Sequence, residues 1–234
     1  MYATIETLDA SIIVIGDFNP VVISPDWLER NNFIGKDDAE DARNDDGTVI
    51  SRKVTQFETS WFALQVLDRQ FSLTSKGVLS PNIKDLAVSI FSTLSHTPIS
   101  AIGINFMAHY QILKEEHYHR IGDALAPKTI WNELFTNKNQ SIGLETLVIR
   151  VDPFKRGDTP KESDLKRITL QVSNKIKQGI FFSLNDHHNI DSNQNNTPTS
   201  AADQIVLLLG QKWENTLHES TNIFDTVINR VLEQ

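Results

Sequence analysis

The sequence predicts an α+β fold: a mainly antiparallel sheet of about six to seven strands, with helices packed on one face and a C-terminal helical segment. Two patterns carry this prediction. Several stretches alternate apolar and polar residues with the period of two of a half-buried strand, and others repeat apolar residues at helical spacing. Alternating strands are typical of antiparallel sheets with one solvated face. We expect a single α+β domain over residues 1–234.

The strand signals follow one another along most of the chain. Residues 11–16, SIIVIG, are apolar throughout and are expected at the centre of the sheet. Residues 55–75 form a further β region, interpreted as a hairpin, and residues 100–112, SAIGINFMAHYQI, alternate most regularly. Three short strands are then expected, separated by turn residues, in segments 146–153, 167–174 and 179–186.

Helix signals lie between these strands. Ser24 with Pro25, and Ser80 with Pro81, are each typical of an N-cap followed by proline in the first turn. Residues 115–127 indicate a helix closed by proline. The C-terminal segment opens with SAAD at 200–203, which resembles a capping box. Its apolar stripe predicts one long helix or two, with a weak point at HESTN, residues 218–222.

Two segments are predicted to be loops. Residues 35–48 carry six acids against two bases and no apolar residue larger than alanine. Residues 189–200 form a run rich in Asn, Ser and Thr that lacks the apolar residues a core requires. The acidic segment is interpreted as a solvated surface loop, with a docking site for a basic partner as the alternative. A calcium loop is disfavoured, because the acids do not alternate before a glycine and a distal glutamate.

Composition excludes several classes of function. The chain has no cysteine, which excludes disulfides, thiolate nucleophiles and cysteine-ligated metals. Its net charge is −8, from 30 acids and 22 bases, and no basic run with interleaved aromatics is present, so direct nucleic-acid binding is not expected. No apolar stretch is long enough to span a bilayer, and we expect a cytoplasmic protein.

The segment FSLNDHHNID, residues 182–191, contains the residue types of metal and catalytic sites. Asp186, His187 and His188 are similar to the motif that names the DHH phosphoesterases, which helps to hold two metal ions. The resemblance covers three residues only, and the upstream Asp-x-Asp and downstream glycine-rich motifs of that family are missing. If the strand continues, adjacent histidines point to opposite faces. We favour a hydrogen-bonded strand end, with a metal site as the alternative.

A second candidate site combines two strands. If the strand carrying His109 and the strand carrying His187 are neighbours, their polar faces bring together Asn105, His109, Asn185 and His187. Such a face is either solvated, as in most antiparallel sheets, or a surface that binds a ligand or a partner.

Two hypotheses of function follow. The first is a non-enzymatic interaction subunit or adaptor of a bacterial multi-protein assembly, of a defence or immunity type, with no cofactor. Its acidic balance suits a protein partner with a basic surface, and the stripe of the C-terminal helix suits self-association. The alternative is a metal-dependent, phosphoesterase-like hydrolase, in which Asp186, His187 and His188 hold a divalent metal that activates water.

Overall fold

The computed structural model describes residues 2–77, 82–135, 141–152, 164–190 and 200–233. Within these residues the strands form one sheet in which every neighbouring pair is antiparallel. The strands are β1 (Ala3–Gly16), β2 (Val49–Ile50), β3 (Val54–Glu58), β4 (Phe62–Leu67), β5 (Gln70–Ser75), β6 (Ile99–Ile112), β7 (Thr146–Val151), β8 (Leu165–Val172) and β9 (Gly179–Asn189). Their order across the sheet is β2-β3-β4-β5-β1-β6-β9-β8-β7.

The helices pack against the face that carries the alternating apolar side chains. On β6 these are Ile102, Ile104 and Phe106, each fully buried. The ring of Phe106 meets that of Trp213 with centroids 5.0 Å apart. The helices are α1 (Pro25–Arg30), α2 (Lys36–Asn44), α3 (Asn82–Thr93), α4 (Glu115–Leu125), α5 (Thr129–Leu134) and α6 (Ala201–Glu233).

Helix α6 extends over both parts of the core. Its 33 residues correspond to a length of about 50 Å. Its first half contributes Leu209 and Trp213 to a core shared with α3 and β1, and its second half contributes Phe224 and Ile228 to a core beneath α4. The apolar stripe that suggested self-association therefore lies inside the protein. Residues 218–222 do not interrupt the helix.

The fold class, the antiparallel sheet and the C-terminal helix are confirmed, but the expected number of strands is wrong. The region 55–75 forms three strands instead of one hairpin, and β2 adds a further strand. The first turn is closed by Thr59, whose hydroxyl accepts the backbone N–H groups of Trp61 and Phe62. Neither that turn nor the one at Asp68 contains glycine or proline, so the sequence gives no strong turn signal there.

The acidic segment 35–48 is not a loop throughout, because α2 occupies most of it. Ala39 and Ala42 are fully buried and give this short helix a narrow apolar face. Asp37 and Asp38 lie in its first turn, where the helix dipole favours negative charge. The prediction failed because a face made of alanines is too small to register as an apolar stripe.

Two of the predicted caps are confirmed. The Ser24 side chain accepts the Trp27 backbone N–H at the start of α1. At the start of α6, Ser200 and Asp203 each accept the backbone N–H of the other, as a capping box requires. Ser80 and Pro81, and residues 191–199 of the polar segment, lie outside the described residues. No helix in the described ranges is long and apolar enough to cross a membrane.

Candidate functional site

A buried network of polar side chains joins β8, β9 and α6 beneath the centre of the long helix. Asp186 and His188 on β9 are 2% and 3% exposed. His188 Nε2 lies 3.2 Å from Asp186 Oδ1, and its Nδ1 lies 2.8 Å from Oδ2 of Asp164, which immediately precedes β8. The Thr216 hydroxyl on α6 donates to Asp186 Oδ2 at 2.7 Å. The network therefore ties α6 to two neighbouring strands.

A third ion pair, between β8 and α6, lies beside this network. Lys166 on β8 lies directly opposite Asp186, and its ammonium group contacts the Glu219 carboxylate on α6. Thr216 and Ser220 are the buried polar residues of α6, and they fall between its two apolar segments. The two hydrophobic cores therefore meet at a polar seam.

The charges of the network stabilise one another. Burial disfavours the imidazolium of His188, but the carboxylates of Asp186 and Asp164 outweigh burial and raise its pKa. Burial also disfavours the carboxylate of Asp186, but His188 and Thr216 outweigh it and hold its pKa below the ordinary range. The N–H bonds of the His188 ring do not point at the carboxylate oxygens closely enough to form hydrogen bonds. The contacts of His188 are therefore ion pairs.

The structure brings Asp186 and His188 together and places His187 elsewhere. The strand continues through Asn189, so His187 projects from the opposite face of the sheet, where its Nε2 meets the side-chain oxygen of Asn189 at 3.1 Å. No group of three His, Cys, Asp or Glu side chains within the described ranges is placed to hold a metal ion. Both ring nitrogens of His188 contact carboxylates: Nε2 contacts Asp186 and Nδ1 contacts Asp164.

The second candidate site lies on the face of the sheet opposite the helices, where β6 and β9 are neighbours as the hypothesis required. Asn105 and Asn185 are directly opposite, and the amide of Asn185 donates to the Asn105 oxygen. The Asn105 amide donates in turn to two backbone oxygens, of Ser11 and Gly103, both at 3.3 Å. The two amides thus satisfy much of their hydrogen-bonding capacity within the sheet.

His109 lies too far along β6 to share a site with His187. His187 is opposite Gly103, and six residues of strand correspond to about 20 Å. His109 is buried and its Nδ1 lies 2.8 Å from the Ser173 hydroxyl, which already accepts the N–H groups of Lys175 and Ile176. The hydroxyl therefore donates to Nδ1. Burial lowers the pKa of His109, so its ring is neutral and holds the β8–β9 connection in place.

Large apolar side chains are exposed on α5 and β7. Every residue of α5 is exposed, and the apolar ones, together with Phe135 just after it, lie on one side at helical spacing. β7 is the terminal strand of the sheet, and it exposes at least one large apolar side chain on each of its faces. The exposed fractions are 70% for Ile130, 48% for Trp131, 67% for Leu134, 52% for Phe135, 54% for Val148, 43% for Ile149 and 45% for Val151. We call these seven residues the α5–β7 surface.

A cavity of about 260 Å³ lies between α4 and the segment that leads into β7. Its wall includes Ile121 and Leu125 of α4, Leu144 before β7 and Val172 of β8. Lys128, which precedes α5, forms part of its rim and pairs with Asp123 at 2.7 Å. The cavity is thus a recess with a mainly apolar wall, and its lining residues Lys128 and Leu144 lie close in sequence to α5 and β7.

Sequence reasoning missed the partners of the predicted site residues. Asp164 and Thr216 lie 22 and 30 residues from Asp186, and only the pairing of β8 with β9 and the packing of α6 bring them together. The α5–β7 surface carried a signal, because TIWNELF and TLVIRV are apolar segments with few polar positions. The sequence matches no known family model, and comparison with curated proteins finds no match.

Proposed function

We propose that the protein is a non-enzymatic interaction subunit, and that the α5–β7 surface is where it binds a protein partner. The observation that carries the proposal is the concentration of seven large apolar side chains, each more than two-fifths exposed, on one short helix and one terminal strand. Contiguous apolar surface of this kind marks interaction sites on soluble proteins. Trp, Phe and Leu in such a surface also supply the large contacts of an interface.

The form of α5 supports the proposal. It has an apolar side, made by Ile130, Trp131 and Leu134, yet none of its residues is buried. A short amphipathic helix gains little stability from its own hydrogen bonds and is normally held by packing of its apolar side. Packing against a partner would bury that side, as in recognition of a helix by a groove.

The charged network beneath α6 supports a structural role for the histidine segment instead of catalysis. Asp186 and His188 are almost inaccessible to a substrate, and each has its charge balanced within the protein.

We expect site-specific photo-cross-linking in the native host to capture a partner from the α5–β7 surface. A photoreactive phenylalanine analogue at Ile130 should give a discrete adduct to a protein, because that side chain would lie inside the contact. The matched control is Leu207 on α6, which is 54% exposed but lies outside the surface. Immunoblotting of the irradiated cells measures the adducts formed from both positions. Equal adducts from the two positions, or none from Ile130, would contradict the proposal.

A further inference from the structure

The geometry points to a second copy of this chain as the occupant of the α5–β7 surface: we propose that two copies pair their β7 strands antiparallel and join their sheets. This inference rests on the proposed function and names its partner. The observations that carry it are the character of the sheet edge, its self-complementary sequence and the area available.

The two ends of the sheet differ in how they are protected. At one end β2 has only two residues, and a short edge strand offers little backbone for pairing. At the other end β7 pairs with β8 over six consecutive residues, and no strand among the described residues pairs with its opposite backbone edge. β7 contains no proline or bulge, and its one charged side chain, Arg150, forms an ion pair with Asp152.

The sequence of β7 is compatible with itself in antiparallel pairing. A two-fold axis perpendicular to the sheet would relate the two copies of β7 and keep each side chain on its own face of the joined sheet. If the axis passes beside Val148, Leu147 lies opposite Ile149 of the other copy. Thr146 then lies opposite Arg150 of the other copy. No like charges face each other across this pair. Arg150 is also neutralised within its own chain by Asp152, at 2.8 Å.

The side chains beside this edge supply apolar area on both faces of the joined sheet. Ile149 lies on the helix-covered face with Leu147, and Val148 lies on the opposite face. We take about 150 Å² as the full area of each side chain, which is the low end of the range for aromatic residues. Multiplied by this area, the exposed fractions of the α5–β7 surface and of Val172 give about 600 Å² of exposed surface. Standard interfaces bury about 800 Å² per partner, and the backbone edge of β7 adds to the apolar part.

The cavity beside α5 provides a place for the helix of the other copy. It is flanked by residues of the edge region, Leu144 and Val172, so it lies close to the proposed two-fold axis. None of the residues on the apolar side of α5 is buried in the described part of the chain. Reciprocal insertion of the two α5 helices into the two cavities would cover both features in one symmetric contact.

A cysteine scan tests this arrangement directly, because the natural chain contains none. In the pairing centred on Val148 the two copies of that residue face each other with Cα atoms about 4.5–5.5 Å apart, a separation that a disulfide spans. Purified Val148→Cys should therefore form a disulfide-linked dimer under mild oxidation. Val49→Cys on β2 is the control, since Val49 is 44% exposed on the opposite edge strand. Non-reducing electrophoresis and intact-mass spectrometry measure the fraction of disulfide-linked dimer for both variants.

Sedimentation of the unmodified protein provides the second measurement. We expect a particle of twice the 26.5 kDa chain. Val148→Lys should weaken association at least ten-fold, because a lysine at the edge blocks pairing, whereas Val49→Lys should leave it unchanged. Circular dichroism checks that both variants are folded. A wild-type monomer at high concentration, or Val148→Cys that oxidises no faster than Val49→Cys, would overturn the pairing.

These outcomes separate the dimer from the broader proposal. If the purified protein is a monomer while the Ile130 probe still cross-links to a different protein in cells, the surface binds a heterologous partner and only the self-pairing is wrong. If neither experiment gives a contact, both proposals fail.

Discussion

Replacement of His188 by alanine is expected to lower the free energy of unfolding by about 3–5 kcal/mol, the cost of leaving a buried charge without its partner. The variant leaves the Asp186 carboxylate, which is 2% exposed, without its ion-pair partner and with only the hydrogen bond from Thr216. Most of the cost comes from Asp186. The contact of His188 with Asp164 adds little, because the side chain of Asp164 is 55% exposed and screened by solvent.

The adjacent histidine supplies a matched control. His187→Ala removes the same kind of side chain one residue earlier, but from the opposite, partly exposed face of the strand. It is expected to cost less than about 0.5 kcal/mol, as is usual for surface substitutions. Urea denaturation followed by circular dichroism at about pH 6 measures both variants. If the two costs are equal, the buried network does not contribute as its geometry requires.

The same network predicts the dependence of stability on pH. The pKa of His188 is raised in the folded state above its ordinary value of 6.5, so its contribution is complete below pH 6.5 and is lost as pH rises through the folded pKa. The pKa of Asp186 is lowered from 3.8, so its contribution is present above that value and is lost as pH falls through the folded pKa. Stability should therefore decline on the alkaline side of pH 6.5, and His188→Ala should show a flatter profile there.

The sequence predicted part of this network correctly. The alternation of apolar residues in Gly179–Asn189 predicted that His187 and His188 point to opposite faces if the strand continues, and the strand does continue. The sequence did not show that Asp186 and His188 occupy core positions, because an inward-facing carboxylate and imidazole break the apolar pattern. Buried positions are recognised in a sequence by their apolar residues, and the two members of a buried ion pair are both polar residues.

The remaining differences have similar physical causes. The burial of α2 depends on two alanines, and the three strands of residues 55–75 are separated by turns without glycine or proline. The neighbours β6 and β9 could only be hypothesised, since the register between distant strands is set by packing across the whole sheet. Local periodicity therefore predicted most elements, whereas their contacts depended on long-range pairing.

The second large effect is expected from Trp213→Ala, which should lower the free energy of unfolding by about 3–5 kcal/mol, as for other buried aromatic residues. Trp213 is 2% exposed and packs edge-on against Phe106 of the inner strand β6. Its removal leaves a cavity between α6 and the sheet that the rigid neighbouring side chains cannot fill.

Trp131→Ala is the matched control, because it removes the same kind of side chain from an exposed position. Trp131 is 48% exposed on α5, so the variant should cost less than about 0.5 kcal/mol in the monomer. Both variants are best measured by urea denaturation in the Val148→Lys background, since dissociation of a dimer would otherwise add to the unfolding free energy. A large cost for Trp131→Ala in that background would mean that α5 is packed within its own chain, and its apolar side would then not be available to a partner.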